Sequence, residues 1–402
     1  MPRCIFCDAE LRQDTKPEHI LLDSFGGRKT TRKVVCSICN ETFGKTIDDE
    51  LAKQTLHIRN MFQLRSGSGG EAPMLRRVEV GQDKIDIKGD GTMRRVAKPF
   101  KVTYPSADKV EVQFTTNELE EIFRHIPDVA AILKLPEEQV REQIFRSTAH
   151  SIEQRPDFAN FTYLFGGPDA IRSMAKAALT LWATHVGNNE VRGEPYAATR
   201  VFVLRGSADF TFTRSELDSR AMYDAAEITR RYGPIFNAIY VASDANGRVV
   251  AHYTLNNVIG FRIVLAEDGG VPSRQVGLIS NPLDPAVWTD QAASEIPIPF
   301  AWLDAPDYPD DLHMARERIV ALHRLYQSLM TPRVIGRISD EVFAKHGFTN
   351  GDDSVPQGAL ERIIREISGR LAKHQLSLPH EETISEEEIR ALWAAWAAKR
   401  KR

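Results

Sequence analysis

Four cysteines and a Glu-His pair, all within the first fifty residues, are the side chains whose types and spacing can do chemistry together. Cys4-x-x-Cys7 and Cys36-x-x-Cys39 account for every cysteine in the 402 residues. A CxxC turn forms a knuckle whose backbone N–H groups stabilise thiolates, and two knuckles close a tetrahedral Zn²⁺ site. The interval between the pairs, residues 8–35, exceeds that of a common zinc ribbon, so an element is inserted between the knuckles. Unrelated core thiols and a redox CxxC are the competing readings. The strict pairing of all four cysteines favours a structural zinc, which holds shape and does no chemistry.

The chemistry should then lie in what the zinc holds. "EHILLDSFGGRKTTRKVV" reads as a strand from Glu18 to Leu22, a Gly26-Gly27 loop carrying Arg28, Lys29, Arg32 and Lys33, and a second strand leading into Cys36. After Cys39 a single helix is expected over "NETFGKTIDDELAKQTL", with Phe43, Ile47 and Leu51 as its buried stripe. At about 100° per residue, Asp48 lies roughly 80° around from Asn40, at the edge of that stripe. Asp49 falls on the opposite, solvent side. Taken singly, a strand His is usually structural, an Asn after CxxC is a helix cap, and a helical Asp is solvated. Their order between two knuckles favours a catalytic reading.

That order of knuckle, Glu-His-Ile, Gly-Gly loop, knuckle, Asn and "FGKTIDDEL" resembles the HNH endonuclease family over residues 4–51. It is most similar to the branch with two CxxC pairs and a final Asp. The resemblance implies a ββα-metal fold that hydrolyses DNA phosphodiesters. His19 would be the general base for water, since imidazole titrates near neutrality. Asn40 would bond the backbone beside His19 and so orient the ring. Asp48 would bind a divalent metal, Mg²⁺ or Mn²⁺, whose oxygen preference suits a carboxylate. Glu18 stands where the family has an acidic ligand, but adjacent strand residues point to opposite faces. A bulge would be needed for Glu18 and His19 to share one site. Arg28, Lys29, Arg32 and Lys33 would contact DNA phosphates, the bland reading being a solvated basic loop. Dimerisation, giving a homo-oligomer, would convert nicking into double-strand cleavage.

The remaining chain must position and regulate that segment. The fold class expected is α+β: an N-terminal zinc-stapled domain, then a larger α+β region with antiparallel strands, then a helical C-terminus. The boundaries read as 1–64, a linker at 65–73 ("RSGSGGEAP"), a targeting or regulatory region at 74–330, and a helical tail at 331–402. Strands are expected over 74–115, helices over 117–153 and 169–186, and strands again over 198–265, with a "DANG" turn. Further helices are expected at "DDLHMARERIVALHRLYQSLM" and twice within 357–400, separated by "LSLPHEET". Arg172 and Lys176, four apart, would be surface charges flanking an Ala/Leu stripe, with an anion pocket as the sharper alternative. His57, His125, His150, His185 and His313 read as structural.

The net charge of -3 does not advertise a polyanion partner, so nucleic-acid contact must come from a local basic patch. The terminal "KRKR" reads as a charged end. No apolar run is long enough to cross a membrane, and the first residues lack a secretory signal, so a cytoplasmic protein is expected. In outline the chain looks like bacterial defence effectors that join an N-terminal HNH nuclease to a nucleotide-sensing domain. That points to a restriction or anti-phage role and an unidentified small-molecule activator. The rival class is a non-catalytic zinc-stapled module that binds nucleic acid or protein.

Overall fold

The computed structural model describes residues 2–81, 83–106, 109–147, 149–153, 161–284, 288–289, 295–305, 311–376, 378 and 380–400. They form two compact units built from interleaved stretches. One comprises Met1–Pro73, Gly89–Gly91 and Thr162–Gln327; the other comprises Met74–Lys88, Thr92–Phe161 and Ser328–Arg402. The stretch 74–330 is therefore divided, with 162–327 counted beside the cysteine-bearing segment.

In the first unit, β1 (Glu18–His19) pairs antiparallel with β2 (Thr30–Thr31). The expected strand to Leu22 stops at His19 because Ile20, Leu21 and Leu22 turn inward and are buried. Asp23–Phe25 makes a 3₁₀ turn ended by Gly26 in the left-handed conformation. Gly27 is required by close approach, since a Cβ there would lie 1.9 Å from the Leu21 carbonyl oxygen. The 65–73 stretch is not a free linker at its start. Gly67 N–H donates to the Asp23 carbonyl at 2.8 Å, and Ser68 N–H to the Asp23 carboxylate at 2.7 Å.

The single helix expected after Cys39 is broken into α1 (Ser37–Lys45), α2 (Ile47–Gln54) and α3 (Leu56–Met61). The first break falls at Thr46, whose φ of -125° and ψ of -94° leave the helical region. Phe43, Ile47 and Leu51 are buried as expected. α4 (Pro168–Val186) begins at a proline and stops at Gly187, as its sequence predicts. It is buried on nearly every face, which places it at the centre of this unit's core.

The expected strands from 198 onward are a correction, because α5 (Ala197–Arg205) and α6 (Ala208–Arg214) occupy that stretch. "TRVFVLR" has the β-branched content of a strand. Yet Thr199, Phe202 and Val203 are buried at helical spacing, and tertiary packing overrides the local preference. Next come β3 (Ser215–Asp218), α7 (Ala225–Tyr232), β4 (Asn237–Ser243), β5 (Val249–Leu255), β6 (Ile259–Ala266), β7 (Gln275–Ser280) and β8 (Trp288–Thr289). The strands form one antiparallel sheet in the order β8-β7-β4-β5-β6-β3. The "DANG" turn joins β4 to β5, with the Asp244 carboxylate accepting the N–H groups of Asn246 and Arg248. Both faces are covered. Ile239, Val241, Tyr253 and Ile263 join the core that contains α4, whereas Ala238, Tyr240 and Val250 join Ile228 and Leu303.

In the second unit, Leu75–Val80, Asp83–Ile87 and Met93–Arg95 form a three-stranded meander, and Phe100–Ser106 pairs with Lys109–Phe114. The helix expected to run to 153 ends at Arg146. Ala149–Glu153 instead pairs with His380–Ile384, inside the segment read as an interhelical loop. Neither partner signals the other locally. Gln357–Gln375 and Glu386–Arg400 are helical, as expected. The helix from Asp311 runs to Lys345 and carries Pro332 within it. Lys401 and Arg402 of "KRKR" and residues 306–310 lie outside the described residues. Among the described residues, no helix is long and apolar enough to cross a membrane.

Candidate active site and zinc site

The zinc site is built where two turns of the chain meet. Cys4 is followed by a tight turn, Asp8 N–H bonding back to the Cys4 carbonyl, and Ile5 N–H bonds Val34 just before the second knuckle. Cys36 caps α1, its sulfur accepting the N–H of Cys39. Cys4 sulfur accepts the N–H of Cys36 at 3.4 Å. The Cys39 thiol and the backbone N–H groups of Cys36, Cys7 and Phe6 together hold the Cys4 thiol well below its usual range, outweighing burial. All four sulfurs lie within 4.8 Å of one another. Tetrahedral Zn–S bonds of about 2.3 Å place sulfurs roughly 3.8 Å apart, so the four cysteines fit a structural zinc. They are the only such cluster among the described residues.

Asn40, in the first turns of α1, donates from Nδ2 to the Pro17 carbonyl at 2.9 Å. That bond ties the helix to the residue preceding Glu18 and His19. The strand is regular, so the two side chains diverge: Glu18 is buried and His19 is half-buried, with 34% of its side chain exposed. His19 Nε2 stands 3.7 Å from Asp23 Oδ1. Burial pushes the imidazole below its ordinary value, Asp23 opposes this, and the charges of Lys176 and Lys16 add to the lowering. A neutral ring that can accept a proton is the result.

Glu18 and Asp48 converge, but on a third side chain. α4 crosses α2 and presents Ser173 and Lys176, three apart on one face. Lys176 Nζ donates to Glu18 Oε1 at 2.6 Å and to Asp48 Oδ2 at 2.7 Å. Ser173 Oγ donates to Asp48 Oδ1 at 2.6 Å. The lysine side chain is 0% exposed, that of Glu18 3% and that of Asp48 13%. Burial alone would lower the lysine's pKa, but the two carboxylates more than offset it and hold the ammonium protonated. Burial raises Glu18, and the Asp48 charge adds to this, against the lowering by the Lys176 ammonium. The Phe43 ring lies 6.0 Å from Nζ, and the buried Tyr253 hydroxyl of β5 feels the Asp48 charge. That hydroxyl has no hydrogen-bond partner among the described residues.

Arg172 and Lys176 are thus not surface charges. Arg172 donates from Nη2 to the carbonyls of Val203 and Leu204 at the end of α5. Ser173 and Tyr253 escaped the sequence reading, which places Lys176 on the surface. One signal was available: "SMAKAALTLWA" is apolar all round except for a narrow stripe of Ser173, Lys176 and Thr180, so a lysine within it is apt to be buried and to need a counter-charge. Asp49 is exposed and pairs with Lys53, away from the site. Arg28, Lys29, Arg32 and Lys33 are exposed on the loop beside β2. Arg32 also donates to the Thr15 carbonyl. His57 packs edge-on to Tyr163, and His125 pairs with Asp128. The side chain of His150 lies outside the described residues.

Residues 4–56 match the family described as HNH endonuclease. No curated protein and no solved structure matches the chain. The first unit's N-terminal segment is therefore an HNH endonuclease segment held by a four-cysteine site, followed by α+β structure with antiparallel sheets and a helical C-terminus.

Proposed function

We propose that this HNH segment is the catalytic part of a DNA endonuclease, and that the rest of the chain targets or regulates it. One observation carries the reading. A half-exposed imidazole, held below its ordinary pKa, sits on a strand tethered through Asn40 and Pro17, inside a segment that matches HNH endonucleases. His19 takes a proton from water, the resulting hydroxide bonds to phosphorus, and the bond from phosphorus to the leaving sugar oxygen breaks, that oxygen taking a proton from solvent water. Asn40 is a positioning residue. The exposed Arg28, Lys29, Arg32 and Lys33 hold backbone phosphates without reading sequence. Restriction or anti-phage defence in the cytoplasm is the setting this chemistry suits. Homo-oligomerisation would pair nicks into double-strand breaks, and a small-molecule activator is a natural input for the regulatory part.

The family resemblance implies Mg²⁺ or Mn²⁺ at Glu18 and Asp48. In this conformation the pair does not fit a divalent ion, because both carboxylates already close on the Lys176 ammonium. The same observation favours a second reading, a zinc-stapled DNA-binding module without chemistry. Plasmid cleavage separates the two. Wild type and His19→Ala, at matched zinc content, are incubated with plasmid over a range of Mn²⁺ concentrations. Cleavage that needs His19 is the expected result. No cleavage at any Mn²⁺ concentration would sink the nuclease reading and leave the binding module, whereas equal cleavage by both proteins would show that His19 is not the base.

A further inference from the structure

We propose that Lys176 is the resident cation of the HNH segment, competing with divalent metal for the space between Glu18 and Asp48. The lysine comes from α4, far outside the matched residues 4–56. Its nitrogen lies 2.6 and 2.7 Å from the two carboxylates, the distances at which charge-assisted bonds form. A divalent ion bound by the same pair would put its positive charge where Nζ now lies. Two cations cannot share that place. This inference rests on reading Glu18 and Asp48 as the metal-binding pair, and it adds that the site is kept shut by a different part of the chain.

Three features make the contact more than a chance surface pair. First, Lys176 and Glu18 are buried and Asp48 is only slightly exposed, so the arrangement is held by packing and not by a flexible arm. Second, Ser173 takes the other Asp48 oxygen, so α4 engages both oxygens of the residue that the motif assigns to metal. Third, the charge balance is incomplete. One ammonium faces two carboxylates, which leaves the pair able to gain from a doubly charged ion if the lysine is removed. The buried Tyr253 hydroxyl, on the sheet behind α4, has no hydrogen-bond partner among the described residues. Opening the site therefore means moving Nζ, and α4 carries it. Since α4 also packs on β4–β7 of the same unit, a shift of the helix would link the metal site to the sheet.

The test compares wild type, Lys176→Met and Lys176→Met/Asp48→Asn, each with zinc content measured. Mn²⁺ binding is followed by electron paramagnetic resonance and melting by calorimetry. In Lys176→Met the two buried carboxylates lose their counter-charge, so its melting temperature should drop by about 5 °C or more. Mn²⁺ should restore it, leave wild type unmoved, and bind Lys176→Met at least 10-fold more tightly than wild type. The double variant should lose that gain. Wild type binding Mn²⁺ as tightly as Lys176→Met, in an Asp48-dependent way, would overturn the competition while leaving the metal reading intact. A folded Lys176→Met that neither binds Mn²⁺ nor is stabilised by it would overturn both. If Lys176→Met folds only with Mn²⁺ present, that is the expected rescue in its strongest form. If it folds under neither condition, wild type and Asp48→Asn decide. Micromolar, Asp48-dependent binding to wild type overturns the proposal; millimolar or weaker binding supports it.

Discussion

At the scale of single residues, the motif's members divide between two environments. His19 keeps a third of its surface and a depressed pKa, as a base needs, while Glu18 and Asp48 are sealed around an ammonium. The sign of the pH dependence follows. Only neutral imidazole accepts a proton, and the folded pKa lies below the ordinary value of about 6.5. Cleavage should therefore be flat from pH 8 down through about 6.5 and then fall, by about tenfold per pH unit, as the ring protonates. Initial nicking rates across that range check it. A limb centred above 6.5 would point to a different base. His19→Ala should cut the rate by about 10²-fold or more with melting and zinc content unchanged. The motif's order was legible because its residues follow one another at short, local spacing. Lys176 was not, since its partners lie some 130 and 160 residues earlier in the chain and only folding brings them together.

At the scale of elements, the segment depends on two devices with different physics. A zinc held by the four cysteines would close the loop from Cys4 to Cys39, and its binding would supply folding free energy directly. Cys36→Ser also removes the sulfur that caps α1. It should release the zinc and lower the melting temperature of the HNH segment, read by metal analysis and by hydrogen exchange at α1. Retention of stoichiometric zinc would argue against a four-cysteine site. The glycine loop works sterically. A Cβ at Gly27 would strike the backbone oxygens of Leu21 and Leu22 at 1.9 and 2.6 Å, contacts that no rotamer change can relieve. Gly27→Ala should cost about 2 kcal/mol or more in chemical denaturation; a change under about 0.5 kcal/mol would mean the turn is softer than its geometry implies. The sequence located this Gly-Gly turn by composition. It could not show that Ser68 and Gly67, which read as linker, return to bond Asp23. Nor could it show that the helix breaks at Thr46, because the apolar stripe of Phe43, Ile47 and Leu51 continues through the break.

At the scale of the whole molecule, the HNH segment is not a free-standing module within its unit. Its core residues Phe43, Ile47, Leu51 and Ile58 belong to one continuous cluster with Met174, Leu181 and Trp182 of α4 and with Val241 and Tyr253 of the sheet. Chain order suggests an N-terminal domain on a tether, but the buried stripe of α2 finds its partner in α4, more than a hundred residues later. A fragment of residues 1–73 would expose that stripe together with the unpaired carboxylates of Glu18 and Asp48. Burying each such apolar side chain is worth about 1.5–3 kcal/mol, so several together are comparable to the whole margin of a small domain. The fragment should thus bind zinc at the knuckles yet melt without cooperativity and bind a hydrophobic dye. Adding a fragment of residues 162–327 should restore a single cooperative transition and quench the dye. A 1–73 fragment that melts sharply by itself would show that α4 packs on a finished domain and not into its core. The contact through Lys176 would then be one that the HNH segment can make or release without unfolding.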